Sequence, residues 1–272
     1  MKITEYPQVS KMKLMDVTLI DGEDGTRKVI GADLPFAIMN LCGSEMHRMI
    51  YRGKNLGTEF TAIQKTAIQT GTFEDLWLGD YWIIDGTTWR IVDIDYWYSC
   101  GDSKFASHHA VIMPDTPLYS ASMNDTDITN GGYTGSGMYT SGLTDAKDIA
   151  SAAFGNNILT HREYLTNAVA DGHPSAGDWF DSTLDLPNEI MMYGCHIYAS
   201  ANNGTTIPNK YTIGKTQLAL FMVSPKMISN GETFWLRDVV SSVDFASVDN
   251  HGSTSYYGAS NSFGVRPVFA IG

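Results

Sequence analysis

The stretch that decides the fold lies near the end of the chain. It begins with Phe234-Trp235-Leu236-Arg237-Asp238, continues through a segment rich in Ser, Asp, Asn, Tyr and Gly, and closes with Gly264-Val265-Arg266-Pro267-Val268-Phe269. The two apolar segments are typical of buried strands. The segment between them cannot bury a face of its own, yet it lacks the charge density of a disordered tail. We therefore expect a polar surface displayed between two buried strands, suited to binding rather than to chemistry.

The composition favours strands and ordered loops over long surface helices. Only 18% of the 272 residues are charged, whereas exposed helices draw on Lys and Glu. A chain of this length can bury a large core and can hold one domain, two or three. The net charge of −12 repels phosphate backbones, so we expect no nucleic-acid partner.

The sequence gives no indication of membrane insertion. No apolar run reaches spanning length, and the first residues lack the apolar region of a signal peptide. We therefore expect a protein that is made in a reducing cytosol and works as a soluble body or as a piece of an assembly. The three cysteines, Cys42, Cys100 and Cys195, are far apart and odd in number, so they predict buried free thiols rather than a zinc site or a disulfide framework.

Residues 1–71 are predicted to form a small region for attachment and oligomerisation. Strands over 17–20 and 27–30 would form a hairpin that is too small to be stable alone. A first helix would start at Leu34, capped by Asp33, and a second would run over 58–70. Their expected apolar faces comprise Ile38, Leu41, Met46, Met49 and Ile50 in the first helix, and Phe60, Ile63 and Ala67 in the second.

Residues 72–272 are predicted to form an α+β domain with long structured loops. The pattern over 81–94, with its turn at Asp85-Gly86, indicates a β-hairpin. Residues 115–142 contain Gly pairs that disfavour regular elements, and loops of this length usually carry function. We further expect a strand over 108–114, helices over 144–154, 161–169 and 184–194, a short helix or strand over 217–221, and strands over 233–237, 245–248 and 264–271.

No motif in the chain indicates an enzyme or a cofactor. His108 and His109 are adjacent on a predicted strand and point to opposite faces, so they cannot chelate one metal together. Thr160 and Glu163 have the spacing of a capping box and predict a helix start. The loop over 171–179 holds a Ser, a His and an Asp but no nucleophile elbow. Phosphate-binding, dinucleotide-binding and zinc-protease motifs are also missing from the sequence.

The segment around Asp125 leaves two readings open. Asp125, Asp127 and Asn130 alternate like the oxygen ligands of a calcium loop. However, Ser136 stands at the twelfth position, where such a loop needs a glutamate. The alternatives are a calcium ion and a solvated turn. We favour the turn and therefore expect no metal site.

The C-terminal pattern resembles a known family. The resembling segments are Trp235-Leu236-Arg237, Phe245-Ala246, Gly252, Ala259-Ser260 and Gly264-Val265-Arg266-Pro267-Val268, with further similarity over 77–114, 188–194 and 216–221. They are similar to C-type-lectin-fold proteins of phages and prophages of gut bacteria, including the variable proteins of diversity-generating retroelements of the major tropism determinant type. The resemblance covers roughly residues 72–272 and implies a C-type-lectin-like fold, related to that of formylglycine-generating enzymes. Those enzymes need a C-terminal cysteine pair, whereas this chain has no cysteine after Cys195.

The resemblance also implies roles for individual residues. The implied scaffold residues are Trp235, Arg237, Gly264, Arg266 and Pro267. The implied ligand-binding residues are Asp244, Asp249, Asn250, His251, Ser253, Ser255, Tyr256, Tyr257, Asn261 and Phe263. From Asp238 to Gly264 the chain has no Lys, Glu, Gln, Met or Trp, the five residues that randomised adenines in AAT or AAC codons cannot encode. Tyr, Ser, Gly and Asn are also favoured in binding loops.

Together these expectations describe a virion protein that binds the host. It would be a homotrimer held to a tail or capsid by residues 1–71 and in contact with other virion proteins. Its variable C-terminal surface would bind a protein or glycan on the bacterial host. The alternative is a structural decoration or tail component that does not itself bind a receptor. A third class, an enzyme acting on surface glycans, lacks the expected pair of carboxylates.

Overall fold

The computed structural model describes residues 17–22, 25–30, 43–199 and 216–272. Within these ranges the chain is an α+β protein with two five-stranded sheets, two two-stranded hairpins and short helices. The helix start expected at Leu34 and the thiol of Cys42 lie outside the described residues. In the same ranges no helix is both long enough and apolar enough to cross a membrane.

The elements follow one another in a strand-rich order. The strands are β1 Val17–Gly22, β2 Gly25–Ile30, β3 Tyr81–Ile84, β4 Thr87–Ile94, β5 Ala110–Pro114, β6 Tyr119–Ser122, β7 Ile158–Leu159, β8 His161–Ala170, β9 His173–Ser182, β10 Phe234–Val239, β11 Asp244–Val248, β12 Thr254–Gly258, β13 Ser262–Val265 and β14 Phe269–Ile271. The helices are α1 Ser44–Met49, α2 Ala62–Gln69, α3 Thr144–Phe154, α4 Glu189–Tyr193 and α5 Ala219–Val223, with a π-helical turn at Met138–Gly142 and 3₁₀ turns at Gly155–Asn157 and Pro225–Met227.

The two large sheets differ in how their strands are connected. The first has the order β3-β4-β5-β14-β7 and is antiparallel throughout. The second, here called the C-terminal sheet, has the order β12-β11-β10-β13-β6. In it β10 and β13 run parallel and the other pairs are antiparallel. Strand β12 forms one edge of the C-terminal sheet, and β6 forms the other.

Central strands of both sheets are buried on both faces. On β5, Ala110 and Ile112 belong to one apolar cluster, whereas Val111 and Met113 belong to a second. Because successive side chains of a strand point to opposite faces, a strand of this kind is apolar at every position. This explains why β5 and the first three residues of β10, Phe234 to Leu236, are continuous apolar runs rather than alternating ones.

Several predicted elements are confirmed. The hairpin of β1 and β2 forms with Gly22 opposite Gly25, a tighter connection than the predicted loop from Asp21 to Gly25. The hairpin of β3 and β4 turns at Asp85 and Gly86, and α3 has the predicted bounds of 144–154. Over 184–194 the helix is shorter than predicted, because Asn188 caps it and α4 begins at Glu189.

The helix predicted over 161–169 is wrong. Residues 161–182 form the hairpin of β8 and β9, which turns at Asp171 and Gly172 with φ of 53° and 77°. An Asp-Gly pair accepts positive φ at both positions and closes a two-residue hairpin, and this turn overrides the helical spacing. The capping box is therefore wrong as well, since Glu163 is a buried strand residue. The expected loop over 171–179 is mostly β9.

The predicted apolar faces of the first two helices are only partly right. In α1, Met46 and Met49 are 40% and 53% exposed, while His47 is fully buried. In α2, Ile63 is 83% exposed, because the helix starts only at Ala62 and turns Ala67 and Ile68 toward the core. Among the described thiols Cys100 is buried as predicted, but Cys195 is exposed.

Contacts cross the proposed boundary at residue 71. The His47 ring stacks on Trp77 with centroids 4.0 Å apart. The Arg52 guanidinium forms an ion pair with buried Asp80 at 2.6 Å. Ile68 belongs to the larger apolar cluster. The division into 1–71 and 72–272 stays a prediction, and a truncated chain meant to fold should retain residues from 43 onward.

Candidate ligand-binding surface

Strand β12 places the two predicted tyrosines on opposite faces of the C-terminal sheet. It pairs with β11, so that Tyr256 lies opposite Ala246 and Tyr257 opposite Phe245. Adjacent strand residues point in opposite directions. Tyr256 and Tyr257 are 45% and 41% exposed, but they do not form one surface. The polar segment between the predicted strands 245–248 and 264–271 therefore contains a strand, and the sheet fixes its backbone.

Two residues that the sequence analysis missed, Ile197 and Tyr198, lie beside Tyr256. The rings of Tyr198 and Tyr256 meet edge to face with centroids 4.9 Å apart, an arrangement that aromatic pairs prefer. Tyr198 is 46% exposed and the neighbouring Ile197 is 49% exposed. We call Ile197, Tyr198 and Tyr256 the tyrosine edge. No local pattern marks Ile197 and Tyr198, because only the tertiary fold brings them to β12.

A buried carboxylate holds the tyrosine edge together. Glu189 is fully buried, and its oxygens accept hydrogen bonds from the main-chain N–H groups of Ile197, Tyr198 and Ala199 at 2.8, 3.1 and 3.0 Å. The same carboxylate accepts a hydrogen bond from the Thr254 hydroxyl at 2.9 Å. Charge-assisted hydrogen bonds of this kind are stronger than neutral ones. Glu189 therefore fastens the segment 197–199 to the start of β12.

A second carboxylate, that of Asp238, contacts the main chain of Glu189. The Asp238 Oδ2 atom accepts a hydrogen bond from the Glu189 main-chain N–H at 2.6 Å. Burial, and then the negative charge of Glu189, raises the pKa of Asp238 to about 6, although His196 and Arg237 act in the opposite direction. Two carboxylates that share a site disfavour each other's ionisation. We therefore expect the support of the tyrosine edge to depend on pH.

Replacing Asp238 with asparagine is expected to stabilise the protein at about pH 8 more than at about pH 4. Because the pKa of Asp238 is raised in the folded state, protonated Asp238 stabilises the fold. This stabilisation is fully present when the pH is below the unfolded-state pKa of 3.8, and it is lost as the pH rises through about 6. Asparagine cannot ionise, and its Oδ1 atom can still accept the Glu189 N–H. Melting temperatures of both proteins across this range test the prediction, and a gain that is independent of pH contradicts it.

The opposite face of the sheet edge is built on the core. The Tyr257 ring lies 4.7 Å from Phe263, and Phe263 lies 5.0 Å from Trp235, as measured between ring centroids. Phe263 is partly buried and packs against the larger apolar cluster. Of this predicted aromatic set, Tyr257 is therefore the member that offers an exposed ring on this face.

The turn between β11 and β12 carries four predicted site residues in a closed loop. The Asp249 Oδ1 atom accepts hydrogen bonds from the N–H groups of His251 and Ser253 at 2.8 and 2.9 Å. The Tyr193 hydroxyl donates to the carbonyl of Gly252 at 3.1 Å. Asp249 thus shapes the turn, and the exposed side chains of Asn250 and His251 are presented outward.

The remaining predicted site residues are spread along the sheet. Asp244 accepts a hydrogen bond from the Ser241 hydroxyl at 2.7 Å, which closes the turn before β11. Ser255 lies on β12 opposite Ser247. The exposed Asn261 donates its side-chain amide to the Gly258 carbonyl at 2.9 Å. The ten predicted residues therefore lie on β11, β12 and β13 and in the loops beside them, on both faces of the C-terminal sheet rather than in a single patch.

The predicted scaffold residues are buried. These are Trp235, Arg237, Gly264, Arg266 and Pro267. Arg266 donates to the carbonyls of Pro114 and Ile228 at 2.9 and 3.2 Å, as expected for a guanidinium bonded inside the domain. Its guanidinium also lies 5.1 Å from the centre of the Phe234 ring. Burial lowers the pKa of Arg266 to about 10.

Arg237 belongs to a buried polar network that reaches the hairpin of β8 and β9. Its Nη2 atom lies 2.7 Å from Glu163 Oε1, and the Trp97 indole N–H donates to Glu163 Oε2 at 2.7 Å. Burial opposes ionisation of Glu163, but Arg237, His161 and the Trp97 hydrogen bond outweigh it, so the pKa of Glu163 is lowered. This network ties the hairpin to β10 beneath the surface.

The segment proposed as a turn or a calcium loop uses one of its carboxylates for a loop contact. The Asp127 Oδ1 atom accepts the Ser260 main-chain N–H at 2.8 Å. Hydrogen bonding to the Ser260 side chain, and then to this N–H, lowers the pKa of Asp127. Asp125 is exposed. Over the described ranges no group of three or more His, Cys, Asp or Glu side chains is arranged to hold a metal ion.

Comparisons with known proteins do not assign this chain to a family. No protein-family model matches it, and no curated protein or solved structure does so either.

Proposed function

We propose that this chain is a receptor-binding protein of a phage or prophage virion. It would adopt a C-type-lectin-like fold and bind a protein or glycan of the host cell surface at the edge of its C-terminal sheet. The observation that carries the proposal is the tyrosine edge, in which two half-exposed tyrosines stand on a fully buried support. The resemblance of the segments around Trp235 and Arg266 to phage proteins supplies the biological setting.

The arrangement has the physical features of a binding surface. Anchor residues at interfaces are most often Trp, Tyr and Arg. Tyrosine gives a large contact area while losing only two side-chain torsions. The Glu189 hydrogen bonds order Tyr198 before any ligand arrives, which reduces the entropic cost of binding. Exposed Asn250 and His251, on the neighbouring turn, add polar groups around the aromatic centre.

Replacing Tyr198 or Tyr256 with alanine is expected to weaken adsorption to host cells by about 30-fold, which corresponds to about 2 kcal/mol, the lower bound for an interface hot spot. Both side chains are half-exposed, so the melting temperature should change little. The measurement is retention of purified protein on bacterial cells. The cells come from a strain, chosen from a panel of gut bacteria, that retains the unaltered protein.

Tyr257→Ala is the matched control for this experiment. Tyr257 has nearly the same exposure and the next position on β12, but it points to the opposite face. Adsorption should be nearly unchanged in this variant. If Tyr257→Ala weakens adsorption while Tyr198→Ala and Tyr256→Ala do not, the ligand binds the other face. If all three variants adsorb fully, the receptor-binding role is contradicted.

A structural virion component is the second candidate, and a different surface favours it. Helices α1 and α5 lie in contact, and both expose apolar side chains: Met46 and Met49 on α1, and Met222 and Val223 on α5. Exposed apolar patches often mark protein–protein contacts. Tyrosine-edge variants that adsorb normally but enter particles poorly would favour this candidate. The proposed homotrimer is tested by light scattering of the full chain.

A further inference from the structure

A cleft of about 590 Å³ lies between α1, the end of β4 and α5. Its volume is in the range of small-molecule sites. The side chains that line it include Glu45, Asp95, Tyr98, His108 and Met222. No residue of the tyrosine edge is among its lining residues, so the cleft is independent of the proposed host-binding surface.

One wall of the cleft is an aromatic platform held by a carboxylate. The rings of Tyr98 and His108 are stacked, with centroids 4.8 Å apart and planes at 12°. Asp95 fixes this pair, because its Oδ2 atom lies 2.8 Å from His108 Nδ1 and its Oδ1 atom accepts the His109 N–H at 2.9 Å. His108 covers one face of Tyr98, so the 36% exposure of Tyr98 comes from its other face and its edge.

The backbone conformation at Asp95 belongs to the turn that follows β4. Asp95 has φ of 56°, a left-handed conformation that Asp adopts more readily than most residues other than Gly. This conformation lies directly after β4, where the chain turns toward Tyr98. It allows the Asp95 carboxylate to reach back to both His108 and His109.

The charge of the cleft is negative. Among the described residues, Arg48 is the one Arg or Lys that lines it. Arg48 is committed to Asp93, with which it forms two hydrogen bonds. Asp93 is fully buried and also accepts the Ala219 N–H at 2.9 Å. Asp93 thus balances the Arg48 charge inside the protein. Two further carboxylates line the cleft, Glu45 and Asp95, and Asp95 also contacts His108.

We propose that this cleft binds a small organic cation, a protonated or quaternary amine. The ammonium group would lie against the free face of Tyr98, near the carboxylates of Asp95 and Glu45. An aromatic face attracts a cation through its quadrupole, and such faces recognise quaternary ammonium groups. The apolar substituents of the amine would contact Met222, which is half-exposed at the cleft. The net charge of −12 further favours a cationic over an anionic ligand.

The test compares choline with 3,3-dimethylbutan-1-ol, its neutral isostere, by calorimetric titration of the full chain. Choline is expected to bind at least about tenfold more tightly, because the two molecules share a shape and differ in charge. Tyr98→Leu and Glu45→Gln should each weaken choline binding several-fold. Tyr98→Phe retains the aromatic ring and should bind choline nearly as well as the unaltered protein does.

Two matched controls separate this site from other surfaces. Glu59→Gln removes an exposed carboxylate outside the cleft, and Tyr256→Ala removes an exposed tyrosine of the tyrosine edge; both should leave choline binding unchanged. Equal affinity for the neutral isostere overturns the proposal. So does choline affinity that Tyr98→Leu leaves unaltered in a protein of normal melting temperature, or the absence of saturable binding of both choline and tetramethylammonium.

Discussion

Replacing Trp235 with alanine is expected to lower the free energy of unfolding by about 3–5 kcal/mol, the range for a buried aromatic residue. Trp235 has no exposed surface, and its indole N–H donates to the Ala121 carbonyl on β6 at 2.9 Å. In the C-terminal sheet β13 lies between β10 and β6, so this side chain reaches across one strand to the next. The substitution would leave a cavity and remove the hydrogen bond to the Ala121 carbonyl together.

Urea unfolding followed by circular dichroism measures this loss. Trp179→Ala is the control, because Trp179 is only partly buried on β9 and should lose less than half as much stability. An unfolding free energy that Trp235→Ala leaves unchanged would contradict the scaffold role of Trp235. The same result would weaken the case for a rigid support beneath Phe263 and Tyr257.

Arg237→Met is expected to cost a similar amount, about 3–5 kcal/mol, since it strips a buried carboxylate of its partner. Glu163 has no exposed surface, and Arg237 Nη2 lies 2.7 Å from it. The double variant Arg237→Met with Glu163→Gln should recover much of the loss. A glutamine oxygen can still accept the Trp97 indole N–H, and the buried charge at position 163 is then removed together with its partner.

The pH dependence of the Arg237→Met effect is a second readout. The lowered pKa of Glu163 means that its contribution to stability is present above the unfolded value of 4.5 and is lost as the pH falls through the folded value. Without Arg237 the carboxyl loses its main charge partner and should protonate more readily. The stability difference between the two proteins should therefore shrink in acid. A difference that stays constant with pH would argue for lost packing instead.

Local signals predicted those elements whose structure is decided locally. The turn at Asp85 and Gly86 marks a hairpin within a few residues, and α3 has its predicted bounds of 144–154. The Asp171-Gly172 pair carries the same hairpin signal for β8 and β9, and in the structure it overrides the helical spacing over 161–169. The turn requires positive φ angles at Asp171 and Gly172, and these angles are incompatible with a continuing helix.

The candidate site could be predicted only in part, because its parts meet through long-range contacts. The sequence indicated the segment 244–263 and its exposed tyrosines. It could not indicate that Tyr256 and Tyr257 face opposite ways, since this depends on the segment forming a strand. Nor could it indicate Tyr198, whose ring contacts the ring of Tyr256. The main chain of Tyr198 is held by the carboxylate of Glu189. That contact depends on the packing of α4 beneath β12.

The hydrogen bonds of Glu189 have a consequence for how this surface can change over generations. The position of β12 depends on its backbone pairing and on the Thr254 hydroxyl, whereas the Tyr256 ring contributes to neither. The groups that position β12 are thus different from the side chain that β12 presents to a partner. Exchanging the side chain at position 256 alters the chemistry shown to a partner and leaves the geometry in place. Exchanging Thr254 would alter both the chemistry and the geometry of the edge, because its hydroxyl bonds Glu189. Substitutions that preserve the geometry are therefore those of the outward-facing side chains.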